Sequence, residues 1–153
     1  MFQVQQILVD DNGNNVLSRM FDKIQLIDEF VIVHKNGLKG LYSIEDYRNI
    51  LEVEWDKIEL SQAFVCAERD SKMALFDYSG KKVLPCEWDR ISIYPNGILV
   101  SRNQRQGFYS YKGEVLLECV WKRIEPYQKA LIAYEGNGTR RMIFNYRDNE
   151  IID

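Results

Sequence analysis

The chain has 153 residues, 46% hydrophobic and 28% charged, with a formal net charge of −3; that is an ordinary make-up for one globular domain with a real core. The acidic balance argues against a dedicated nucleic-acid binder, and no apolar run reaches the roughly 18 residues that span a bilayer. The opening MFQVQQILVDD shows no signal-type segment, so a cytoplasmic protein is expected.

In chain order, the first expected element is an extra strand over residues 3–10, followed by a polar turn, DDNGNN. Then comes MFDKI at 20–24, an apolar run FVIV at 30–33, a turn HKNG and a further strand ending in LYSIED at 41–46. The segment IEDYRNI (44–50) is the best candidate for a helical turn, and a weak one. The same order then returns: EWDKI (54–58), AFVCA (63–67), ERDS and LFDYSG (75–80). It returns again as EWDRI (87–91), YPNG, ILV (98–100), SRNQ and FYSYKG (108–113). A last pass gives VWKRI (120–124), ALIAY (130–134), EGNG, IFNYRD (143–148) and the trailing EIID.

Two phrases keep one beat. The aromatics Phe21, Trp55, Trp88 and Trp121 are spaced by 34, 33 and 33 residues, and the second phrase begins at 8, 41, 75, 108 and 143. Periods in this range belong to arrays and propellers. The apolar runs are short and rich in β-branched and aromatic residues, which argues strand rather than helix. Gly80 and Gly113 fall where a tight turn needs positive φ. The expectation is an all-β protein of four tandem repeats of about 33 residues, each a three-stranded antiparallel meander. The units fall at about 11–46, 47–80, 81–113 and 114–148, and they form a propeller-like ring or a curved array.

The repeat assigns roles. Trp55, Trp88 and Trp121 alternate with acids, as a strand with one buried face does, and read as rungs of a stacked core. Cys86 and Cys119 share a slot with Val53, two residues before the tryptophan, and read as small buried apolar groups. Three cysteines without a CxxC pair form neither a disulfide framework nor a zinc site. The single histidine, His34, leaves zinc binding and Ser/Cys–His–Asp chemistry poorly supplied and reads as structural. No P-loop or dinucleotide fingerprint occurs. YEGNGTRR (134–141) lies between strands with no helix N-terminus to receive a phosphate, and DDNGNN lacks the spacing and closing Glu of a calcium loop. No catalytic residue, metal or cofactor is expected.

These phrases resemble the bacterial WG-repeat family. Its units run roughly G-x-x-V-(I/L)-P-x-x-(Y/W)-D-x-I, an aromatic-plus-glycine turn, an apolar strand, then W-G-(Y/L/F)-(I/Y)-D-x-x-G. The third unit, 80–113, matches with Pro85, Trp88, Asp89, Ile91, Tyr94, Gly97, Gly107 and Gly113. The fourth keeps Trp121, Ile124 and Tyr127 but has Lys122 in place of the acid. The resemblance covers about residues 6–153. The name-giving Trp-Gly pair is absent, its places being KG (39–40), MA (73–74), QG (106–107) and RM (141–142). The resemblance implies an all-β binding module without assigned catalysis, in a family some of whose members sit in toxin–immunity loci.

Charge completes the reading. Residues 45–70 hold eight acids against three bases, and 101–147 hold nine bases against four acids. Solvated faces account for this; the sharper reading is an acidic surface of Glu45, Asp46, Glu52, Glu54, Asp56 and Glu59 facing a basic partner. The expected function is a non-enzymatic protein-binding module, an immunity-type protein occluding a cognate toxin domain such as a basic nuclease. The alternative is a structural or adaptor repeat protein without a toxin partner. The partner is a protein, with no nucleic acid and no membrane involved.

Overall fold

The phrase Glu-Trp-Asp-(Lys/Arg)-Ile is where one sheet ends and the next begins. The computed structural model describes residues 4–127, 130–136, 141–145 and 150–152, with side-chain surroundings for 4–127 and 130–136. Four four-stranded antiparallel meanders follow one another along the chain. The first comprises β1 (Lys23–Ile27), β2 (Phe30–Lys35), β3 (Leu38–Ser43) and β4 (Asn49–Trp55). The second comprises β5 (Lys57–Leu60), β6 (Phe64–Arg69), β7 (Lys72–Asp77) and β8 (Lys82–Trp88). The third holds β9 (Arg90–Tyr94), β10 (Gly97–Arg102), β11 (Arg105–Tyr109) and β12 (Val115–Trp121). The fourth holds β13 (Arg123–Pro126), β14 (Leu131–Tyr134), β15 (Arg141–Asn145) and β16 (Glu150–Ile152). The all-β, antiparallel reading therefore stands.

Three details differ from expectation. Each sheet has four strands, not three, because VLPCEWDRI and its counterparts are not one strand. The chain breaks for a single residue at Asp56, Asp89 and Lys122 and then enters the next sheet. The segment 44–50 makes a turn, with Tyr47 at φ 57°, and no helix occurs among the described residues. The expected strand 3–10 makes two isolated bridges, Gln6 to Phe21 and Val9 to Asn15. No helix among the described residues is long and apolar enough to cross a membrane.

The aspartate at the break explains itself. Its N–H donates across the hairpin, Asp22 to His34 O, Asp56 to Glu68 O and Asp89 to Ser101 O, each at 2.8 Å. Its carboxylate accepts from the backbone N–H fourteen residues on: Asn36 at 2.9 Å, Asp70 at 3.0 Å and Asn103 at 3.0 Å. Those three turn residues have φ of 53°, 53° and 52°, a conformation Asn and Asp tolerate best among side-chain-bearing residues. The carboxylate thus holds a turn that the backbone alone would leave with an unpaired donor. In the fourth sheet Lys122 keeps the backbone bond, to Tyr134 O at 2.9 Å, but has no acceptor to give. We expect Asp56→Ala to cost about 1 kcal/mol, as loss of a capping side chain does. Lys122→Ala should cost less than half that, by denaturant unfolding.

The chain divides into two compact units, Met1–Asp70 with Phe76–Lys81, and Ser71–Leu75 with Lys82–Asp153. In the first, Leu17, Phe21, Val31, Val33 and Tyr42 form a buried cluster. In the second, Phe108, Leu117, Ile124, Leu131 and Ala133 form another. The rung aromatics behave as expected at three positions: Phe21, Trp55 and Trp88 are 0%, 4% and 1% exposed. Each meets, edge to face, an aromatic 21 residues on: Tyr42, Phe76 and Tyr109, at centroid distances of 6.1, 5.5 and 5.5 Å. Trp121 is only half-buried.

The glycine slot of the repeat has a steric basis. A Cβ on Gly40 would lie 2.8 Å from Val53 Cγ2 and 3.0 Å from Leu51 O. One on Gly107 would lie 3.0 Å from the Cys119 backbone. At both places the partner strand bulges, so the register slips between Lys39 and Leu41 and between Gln106 and Phe108. Val53 and Cys119 border these crowded points, and the slot Val53/Cys86/Cys119 is half-buried rather than buried. The thiols donate to strand carbonyls, Cys86 to Lys72 O and Cys119 to Arg105 O, both at 3.3 Å. Burial pushes the Cys119 thiol up from its ordinary pKa, which suits a packing group and not a nucleophile.

Candidate protein-binding surface

All six predicted acids lie in the first compact unit and all six are exposed. Glu45 and Asp46 sit in the turn after β3, Glu52 and Glu54 project from β4, Asp56 is the break residue, and Glu59 lies on β5. Half of them are already engaged. Asp46 Oδ2 is 3.7 Å from Arg48 Nε, and Glu54 Oε1 is 3.8 Å from Arg69 Nη1. Asp56 holds the Asp70 turn. The carboxylates of Glu45, Glu52 and Glu59 form no ion pair within 4.0 Å among the described residues. The structure therefore divides the predicted set into three acids spent on the fold and three open to a partner.

Glu54 belongs to a repeated device. Arg69 lies 5.3 Å from the Trp55 ring centre, and its counterpart Arg102 lies 4.6 Å from Trp88 while pairing with Glu87 at 3.1 Å. The guanidinium caps the indole's edge of the sheet and the preceding acid positions it. These pairs are structural.

The acid charges titrate with the fold. Asp89 is held below its ordinary pKa by the Lys72 ammonium bonded to it and then by the Asn103 N–H. Asp10 is lowered by backbone and side-chain bonds from Asn14. Their folded pKa values lie below 3.8, so their contribution is present above that value and is lost as pH falls through the folded one. Asp89→Asn, which keeps an acceptor for the Asn103 N–H but no charge for Lys72, should flatten the acid limb of a pH–stability curve below about pH 4.

His34 carries no catalytic company. Its cross-strand neighbours are Lys23 and Lys39. Desolvation, then those two cations, push its pKa down, and its Nε2 has no hydrogen-bond partner. A neutral imidazole flanked by ammonium groups lacks the orienting carboxylate that general-base work requires. Among the described residues no group of three or more His, Cys, Asp or Glu could hold a metal ion. The turn 134–141, weighed above as a phosphate loop, lies in part outside the described residues.

Concave surface is shallow. A recess of about 570 Å³ in the first unit is lined by Asp28, Phe30, Ser61 and Tyr78, the Phe30 and Tyr78 rings stacked at 4.4 Å. Another of about 570 Å³ in the second unit runs past Arg90, Arg123 and Glu125. Glu125 accepts from the Tyr127 and Tyr134 hydroxyls at 3.1 and 3.2 Å and pairs with Arg123 at 3.0 Å. That network satisfies its own charge. One feature escaped sequence reasoning: residues 4–21 fold back on themselves and pair through two isolated bridges, Gln6 to Phe21 and Val9 to Asn15. The signal was legible in the match of ILVDDNG to ALFDYSG.

No family model and no curated protein matches the chain. Among solved structures it is similar to Kluyveromyces lactis Hsv2, at 9% identity and a TM-score of 0.40, over 86% of this chain and 50% of that one. It is also similar to a chain in an assembly of S. cerevisiae dbp5 bound to nup159, gle1, ip6 and adp. There the identity is 8% and the TM-score 0.42, over 84% of this chain and 41% of that one. The chain spans half or less of the length of these two structures.

Proposed function

We propose that this chain is a non-enzymatic protein-binding β-repeat module, and that it acts as an immunity-type protein occluding a basic toxin domain. The observation that carries the reading is the set Glu45, Glu52 and Glu59, three exposed carboxylates without an ion partner among the described residues, in a unit whose other predicted acids are spent on the fold. Free surface charge of one sign steers a basic partner and speeds association more than it adds affinity. The link to toxin neutralisation comes from the resemblance to WG-repeat proteins, since fold by itself does not give function.

The test is direct. The product of the adjacent gene should copurify with this chain one-to-one, and co-expression should rescue growth. Glu52→Lys with Glu59→Lys should slow association at least about tenfold at low salt, with the difference shrinking at high salt. Unchanged association kinetics would remove the acidic surface from the interface. Binding without rescue would turn the reading towards an adaptor.

A further inference from the structure

Residues 4–21 are a half-sheet whose missing neighbour the rest of the chain describes. Aligned on the turn, Asp10 takes the place of Ser43, Asp77 and Ser110, so Ile7, Leu8 and Val9 match Gly40, Leu41 and Tyr42 of β3. Hydrogen bonding confirms the match at atomic level. Gln6 Oε1 accepts from Ile24 N–H at 2.7 Å, and Gln106 Oε1 accepts from Ile124 N–H at 2.6 Å, with the same separation of 18 residues. Gln6 pairs with Phe21 as Gln106 pairs with Trp121 and Lys39 with Trp55. Residues 4–10 and 15–21 thus stand where the third and fourth strands of the complete sheets stand, joined by two isolated bridges.

Among the described residues, no strand pairs with the edge where the second strand belongs. Gln6 bonds Phe21 through both its N–H and its C=O, Leu8 O accepts from Val16, and Asp10 N–H donates to Asn14 O. In an antiparallel ladder the intervening residues aim the other way. The N–H and C=O of Ile7 and Val9 bond no other backbone group among the described residues. Their side chains are 48% and 49% exposed, and Val4 is 74% exposed. Leu8 is half-buried, whereas its counterparts Leu41, Leu75 and Phe108 are all 0% exposed. Ile7 also stands where the first three complete sheets have Gly40, Ala74 and Gly107 and the fourth has Met142, adding apolar surface to this edge.

The complete sheets show what fits. Against β3, Val31 lies opposite Tyr42 and Val33 opposite Gly40. Against β11, Ile98 lies opposite Tyr109 and Val100 opposite Gly107. These covering residues are all 0% exposed. We propose that the edge formed by Ile7 and Val9 accepts an extended antiparallel segment of a partner protein, with aliphatic side chains two residues apart, completing the half-sheet by strand addition. The site is separate from the acidic surface and does not depend on it.

The probe is a synthetic peptide copying Glu29–Lys35, EFVIVHK, added to the full isotope-labelled chain. The Ile7 and Val9 amides should shift and exchange about tenfold more slowly, as amides gaining a strand partner do. Ile7→Pro removes a donor that the half-sheet does not use, and should weaken the peptide at least about tenfold. Val9→Lys places a charge on the same edge, and should do the same if Ile7→Pro disturbs folding. Three outcomes would overturn the proposal: no response at these two amides, equal binding of a shuffled peptide whose valines are not two apart, or self-association of the free chain through these amides.

Discussion

Replacing Trp88 by Ala should cost about 3–5 kcal/mol, read from the denaturant midpoint by far-UV circular dichroism. That is a large share of the roughly 5–15 kcal/mol that holds most domains together. The indole is 1% exposed, meets the Tyr109 ring edge to face at 5.5 Å, and is covered by the Arg102 guanidinium at 4.6 Å. Truncation removes the largest fully buried side chain among the described residues and strands both neighbours. Its Nε1, however, is buried without a hydrogen-bond partner, a desolvation cost the native protein carries. Trp88→Phe deletes that orphaned donor while keeping an aromatic rung, as Phe21 does naturally at 0% exposure. It should therefore cost only about 1–2 kcal/mol. Trp121→Ala should fall in the same lower range, because Trp121 is half-buried and loses less surface to water. Equal costs at Trp88 and Trp121 would mean that the rungs are not set by burial.

Gly113→Ala should be the most costly single methyl addition, about 3 kcal/mol. Gly113 has φ of 85°, and an added Cβ would lie 2.4 Å from the carbonyl oxygen of Val83. The first fact costs about 1–2 kcal/mol for any side chain in this region. The second forces backbone to move against backbone, which costs as much again. Gly13 supplies the control. Its φ is 84°, yet nothing lies within 4 Å of a built Cβ, so Gly13→Ala should cost only the conformational part, about 1–2 kcal/mol. The difference between the two variants isolates the contact with Val83. Similar costs at both positions would show that the contact is relieved by a small shift of the turn.

Much of this was written in the sequence because it is periodic. The beat of Phe21, Trp55, Trp88 and Trp121 exposes core positions, since one burial environment recurs whenever the same chemistry returns in the same register. The turn glycines were legible for a local reason: positive φ excludes nearly every other residue, and Gly80 and Gly113 adopt it at 90° and 85°. The strand break at the aspartate was not legible. WDKI and WDRI read as continuous alternation, and only a carbonyl and an N–H brought from the far side of a hairpin, such as Glu68 O and Asp70 N–H for Asp56, turn the residue into a clamp. The predicted acidic set shows the same limit. Composition found six acids, but pairing with Arg48 and Arg69 and the clamp at Asp56 left three of them free.

Sequence by itself determined the all-β class, the repeat, the turn positions and the aromatic rungs, all of which depend on local preference and periodic burial. Tertiary structure alone decided the fourth strand of each sheet, the role of the repeated aspartate, which carboxylates remain unpaired, and the open edge at Ile7 and Val9. The physical reason is one of range. Backbone conformation and side-chain alternation are fixed within a few residues. The aspartate clamp and the Glu54–Arg69 ion pair are fixed only when groups twelve to fifteen residues apart are brought within 4 Å.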